Sequence, residues 1–81
     1  MIKAFIAAKI GSQEYLGTAK CVKEQIAKIP GALKVEIVLG SYDIIAEVEA
    51  KNLDEISRMV TDKIKSIPSI VTTETFVCSE E

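Results

Sequence analysis

The chain has 81 residues, 48% of them apolar, with 10 basic and 12 acidic side chains and a net charge of −2. A chain of this length makes one domain that buries only about 60% of its unfolded surface, so the apolar surplus points to association with a further copy. No basic block is present, which excludes the electrostatic footprint of direct nucleic-acid binding, and no apolar run is long enough to span a bilayer.

No charged-then-apolar leader is recognisable, so a cytoplasmic location is expected. Histidine is absent, which removes the commonest general base and leaves too few ligands for a zinc site. Cys21 and Cys78 form no Cys-x-x-Cys pair and read as reduced thiols packed as small hydrophobes. No metal or cofactor is expected.

Ile2 to Ile10 reads as the first strand. Ile2, Ala4, Ile6, Ala8 and Ile10 fall on one face, and Phe5 and Ala7 make the other face apolar as well. A helix is expected to begin between Gln13 and Gly17, with Ser12 and Thr18 as rival caps, and to run to about Ile29. Its buried stripe is Leu16, Ala19, Val22, Ile26 and Ile29, and Pro30-Gly31 stops it.

A hairpin follows. Val35, Ile37 and Leu39 alternate on its first strand, and Ile44, Ala46 and Val48 on its second. Gly40-Ser41 is the turn between them, with Gly40 expected at positive φ. Asn52 opens a second helix as its cap, with Glu55 three residues on. Leu53, Ile56, Val60, Ile64 and Ile67 are its buried stripe, and Pro68 lies past its end. Ile70 to Cys78 is the last strand.

The chain repeats itself. Ile26, Ile29, Pro30 and Glu36 recur as Ile64, Ile67, Pro68 and Glu74, each 38 residues on, and the same offset places Ile6 on Ile44 and Ala8 on Ala46. The order β-α-β is thus used twice, and right-handed crossovers bring both helices to one side of the sheet. The expected fold class is α+β: a ferredoxin-like βαββαβ sandwich with a four-stranded antiparallel sheet, order 4-1-3-2, and two helices on one face. The other face carries no helix. Phe5 and Ala7, Val38, Val71 and Val77 against Phe76 leave apolar residues there, so a second copy is expected to cover it about a two-fold axis.

Two stretches carry a family resemblance. Val38-Leu39-Gly40-Ser41-Tyr42-Asp43-Ile44-Ile45 resembles the Gly-x-Tyr-Asp hairpin of the leucine-responsive/AsnC transcriptional regulators, and Ile67 to Thr75, with its Thr73-Glu74-Thr75, is similar to that family's closing strand. The resemblance is to their effector-binding half, the RAM domain (a dimeric α/β barrel), and it covers essentially the whole chain. Ser69 departs from it, because the family usually has Gly before the last strand. The family's helix-turn-helix has no counterpart before strand one, so the resemblance implies a stand-alone RAM domain.

What the resemblance implies is a non-enzymatic module that binds an amino-acid effector and oligomerises, in the transcription regulation of amino-acid metabolism. It implies a homodimer, a higher ring of dimers, and full-length regulators of the same family as further partners. It also carries over a ligand site: Gly40, Ser41, Tyr42 and Asp43 from the hairpin, with Thr73 and Thr75 from the last strand. The chemistry suits an amino acid, since a carboxylate and a threonine hydroxyl accept from an ammonium group. Backbone N–H groups in a glycine-bearing turn receive a carboxylate. The alternative function is a small dimeric ferredoxin-like enzyme of the monooxygenase or isomerase type, which usually places a His, Trp or Asn in its pocket; His and Trp are absent here. Glu47 and Glu49 share one strand face and have no acid/base companion.

Overall fold

A computed structural model describes residues 1–11 and 15–78. The elements run β1 (Ile2–Ile10), α1 (Tyr15–Ala27), β2 (Ala32–Ile37), β3 (Ile44–Ala50), α2 (Leu53–Arg58, continued by a π-helical segment Met59–Ile64) and β4 (Ile70–Val77). The strands pair antiparallel in the order β2-β3-β1-β4, which is the expected 4-1-3-2 read from the other edge. The expected cap Ser12 lies outside the described residues.

The period-two pattern sets the layers. Ala4, Ile6, Ala8 and Ile10 of β1 face the helices beside Ile44, Ala46, Val48 and Ala50 of β3, all buried. Ala19, Val22 and Ile26 of α1, with Ile56, Met59, Val60 and Ile64 on the second helix, complete this core. Among the described residues no polar or charged side chain is buried, so the core rests on apolar burial alone.

The internal repeat is also a repeat of hydrogen bonds. Ile29 donates to Ile26 and Ala32 to Ile29; 38 residues on, Ile67 donates to Ile64 and Ile70 to Ile67. Each helix thus ends in a tight turn that feeds a strand. In the first, Pro30 and Gly31 occupy the central positions, Gly31 has φ +100, and the turn is of type II. In the second the central pair is Pro68-Ser69, without positive φ. The departure at Ser69 therefore leaves the turn closed, and its carbonyl accepts from Gly11 at 3.0 Å.

Four features differ from the sequence-based expectation. Leu53, expected on the buried stripe of the second helix, stands in its first turn and is 56% exposed. The second helix is not α-helical to its end. Ile56, Val60 and Ile64 are spaced by four, which drifts about 40° per step on a 3.6-residue helix. The wider π turns, with Lys65 donating to Val60 at 2.8 Å, take up that drift and keep the three side chains in the core. The hairpin connection is a six-residue loop, Val38 to Asp43, in which Gly40 does adopt positive φ, +155. Leu39, expected on the buried row, lies in this loop and is 94% exposed. Finally, β2 starts at Ala32 with a register shift that leaves Leu33 half exposed.

The helix-free face exists as expected, with a different apolar set. Phe5 pairs directly with Phe76, at 37% and 49% exposure, and Ile45 and Ala7 lie beside them. Val77 pairs with Ala4 and so lies on the helix side, while Val38 and Val71 fall outside the regular pairing.

Candidate functional site

The Val38–Asp43 loop is fastened to the end of β1 by one residue. Asp43 donates its N–H to the Ala8 carbonyl (2.9 Å) and accepts from Val38 N–H (2.9 Å). Its carboxylate Oδ2 accepts from the Ile10 N–H at 2.7 Å. That last bond falls where the β1–β4 register shifts between Lys9 and Ile10, so the carboxylate takes a donor at an irregular point of the ladder. Asp43 is therefore a structural acceptor as well as a candidate ligand group.

Tyr42 turns the other way. Its hydroxyl donates to Glu74 Oε1 at 2.6 Å, 32 residues on. Glu74 pairs with Ala7 and shares its helix-free face, so the link reaches across β1 from the hairpin loop to β4. Ala7 is 1% exposed on a face with no helix; the link and Ile45 beside it cover it. The hydrogen bond to Glu74, with some desolvation, holds the Tyr42 phenol above the ordinary tyrosine value. In a Tyr15→Phe chain, where Tyr42 is the sole tyrosine, an absorbance titration is expected to show a midpoint above about 10. A midpoint at or below that value means the link to Glu74 does not form in solution.

Thr73 and Thr75 point elsewhere. They pair with Ala8 and Ile6, which places them on the helix side of β4. Thr75 borders a groove with Ile56, Val60 and Thr61 of the second helix. Within one chain the structure brings together Tyr42, Asp43 and the end of β1, while the two threonines face away from Tyr42 across the sheet. Gly40 and Ser41 are exposed at the loop tip. Glu74 is the residue that sequence reasoning passed over. The signal was present: in a strand, the residue between two same-face threonines takes the opposite face.

On the same open face Lys3 pairs with Glu47 at 3.0 Å. Hydrogen bonding to Glu47, reinforced by its charge, raises the Lys3 pKa. Glu47 is thus half of an ion pair in the sheet rather than half of a carboxylate dyad. Both cysteines are free thiols, Cys21 exposed and Cys78 half-buried. Among the described residues no group of His, Cys, Asp and Glu could hold a metal ion, and no helix is long and apolar enough to cross a membrane.

Comparisons with known proteins converge. An uncharacterized HTH-type transcriptional regulator of Pyrococcus abyssi is 43% identical over 60 residues, 74% of this chain and 40% of its own length. The chain thus spans about 40% of the length of the first curated regulators it matches. A crystal structure of a Thermus thermophilus protein superposes with TM-score 0.88 at 30% identity, covering 100% of this chain and 96% of that one. A transcriptional regulator of Neisseria meningitidis, solved as a complex with L-Met, superposes with TM-score 0.82 at 18% identity over 99% of this chain and 51% of that one, and shows the shared fold alone. The family model described as the Lrp/AsnC ligand binding domain matches residues 3–81, and the chain belongs to that family.

Proposed function

We infer that this domain is a non-enzymatic sensor and assembly module in transcription regulation, one that binds a free amino acid and oligomerises. The match of residues 3–81 to a regulator's ligand-binding domain carries this reading. The site geometry supports it: two carboxylates, Asp43 and Glu74, lie at the hairpin loop and on the sheet face it crosses, with a glycine-bearing turn between strands. Carboxylates accept from an ammonium group, and loop N–H groups receive a carboxylate. Thr73 and Thr75 face away from this cluster, so in the proposed ring they meet the effector only where a second dimer abuts the first. The Neisseria regulator's L-Met makes an apolar amino acid the first to try.

The assembly proposed is a homodimer through the helix-free face, with Phe5 and Phe76 as anchors, and a ring of such dimers. Full-length regulators of the family are the protein partners proposed, with the effector as the small-molecule one. With net charge −2 and no basic block, direct binding to duplex DNA is not part of the role. A cytoplasmic location is part of this proposed role.

The test is a thermal-shift panel of the free amino acids together with light scattering. One amino acid is expected to stabilise the chain, by about 2.7 kcal/mol at 100 times its Kd. Phe76→Lys, on the open face, is expected to reduce the pair to a species of 8.8 kDa. No shift with any amino acid defeats the sensor reading, and an undiminished mass in Phe76→Lys defeats the sheet-face dimer.

A further inference from the structure

Where β1 ends, the helix-free face carries opposite charges that do not pair. Alternation along β1 puts Lys9 on that face with Ala7, and β4 sets Thr72 opposite it. Asp43 brackets Lys9 from the β3 side. Its N–H donates to the carbonyl of Ala8, just before Lys9, and its carboxylate accepts from the N–H of Ile10, just after it. Glu74 is the next residue of β4 on the same face after Thr72, and the Tyr42 hydroxyl reaches it across β1. Lys9 thus stands between two carboxylates.

Both carboxylates are engaged, but by neutral donors. Asp43 takes a backbone N–H at 2.7 Å and Glu74 a phenol at 2.6 Å. Such bonds fix where a carboxylate lies and leave its charge uncancelled. Lys9 is exposed, and among the described residues it forms no ion pair. Lys3, at the other end of the same row, is the contrast, since it closes on Glu47 at 3.0 Å. One ammonium group and two carboxylates are therefore held near each other with both signs unneutralised. The group that complements both signs at once is a zwitterion, with its ammonium and its carboxylate on one carbon.

We propose that Lys9 is the partner of the effector's α-carboxylate, with Asp43 and Glu74 taking its ammonium group. This rests on the amino-acid-sensor reading and adds to it the side chain that distinguishes a free amino acid from a plain amine.

The experiment is calorimetric titration of the full chain with the proteinogenic L-amino acids, each beside its α-carboxamide. The amide keeps the ammonium group and the side chain and loses the negative charge. Wild type is expected to prefer the acid that binds over its amide by roughly tenfold or more. Lys9→Met is expected to bring that ratio close to one, and Lys9→Arg to keep most of it. Lys9 is exposed and pairs with no described carboxylate, so neither substitution disturbs the fold. Lys28→Met removes the same charge past the far end of α1, a helix of 13 residues and so about 20 Å long. It is expected to leave the ratio at its wild-type value. A wild-type ratio in Lys9→Met overturns the proposal. So does a ratio lost equally in Lys28→Met, which means a long-range field and no contact. Equal binding of acid and amide by the wild type overturns it while the sensor reading stands, and no binding of any amino acid removes both.

Discussion

Gly31→Ala is expected to lower stability by about 2–5 kcal/mol. An L-residue forced to the left-handed side costs about 1–2 kcal/mol, and Gly31 sits at φ +100. The added methyl would also lie 2.6 Å from the Glu49 carbonyl oxygen and 2.8 Å from Met59 Cε. The methionine can swing away, but the carbonyl belongs to β3, and Glu49 itself donates to the Gly31 carbonyl at 2.9 Å. Relieving the contact therefore pulls the turn off the sheet, and crowding of that kind typically adds about 1–3 kcal/mol. For an 81-residue domain with roughly 4–12 kcal/mol in hand, such a loss removes a large share of its stability. The melting temperature is expected to fall by about 8–40 °C. Gly17→Ala is the contrast. Gly17 lies inside α1, exposed, with nothing within 4 Å of the new methyl, so alanine there is expected to stabilise by about 0.5–1 kcal/mol. Urea unfolding of both variants checks the pair; a Gly31→Ala midpoint equal to wild type at equal m means the turn is not as drawn.

Asp43 separates two roles in one side chain. Asp43→Ala is expected to cost about 1–3 kcal/mol of stability, because the half-buried Ile10 N–H loses its acceptor. That is more than a simple turn position would cost, and the reason is the bond to β1, which no local pattern announces. Asp43→Asn keeps an oxygen for Ile10 and removes the charge, so its stability is expected to stay within about 1 kcal/mol of wild type. Its effector affinity is expected to fall by about 2 kcal/mol, since a charge-assisted bond to the ammonium becomes a neutral one. Calorimetric titration with whichever amino acid stabilises the wild type measures this. Unchanged affinity in Asp43→Asn means the carboxylate only closes the end of β1, and Glu74→Gln becomes the variant to measure next.

The sequence by itself determined the layers, the strand order and both helix stops of this protein. The physical reason is locality. Period-two rows such as Ala4–Ile10 and Ile44–Ala50, an Asn52 cap whose Oδ1 accepts from Glu55 N–H at 2.9 Å, and prolines just past two helices act through neighbours a few residues apart. The 38-residue repeat then arranged those pieces in space, because two right-handed crossovers admit few arrangements. The tertiary structure alone decided what depends on register and on distant partners. Alternation along the strand separates Phe76 and Glu74 from Thr75 and Val77, but register against β1 decided that the first pair takes the open face and the second the helix side. The length of the hairpin loop carried Leu39 off the buried row and into solvent. Packing of Ile56, Val60 and Ile64 against one core imposed a π segment that helix propensity does not favour. And the side chains of Tyr42 and Asp43, adjacent in sequence, went to Glu74 and Ile10 because only the folded sheet sets β4 and the end of β1 within their reach.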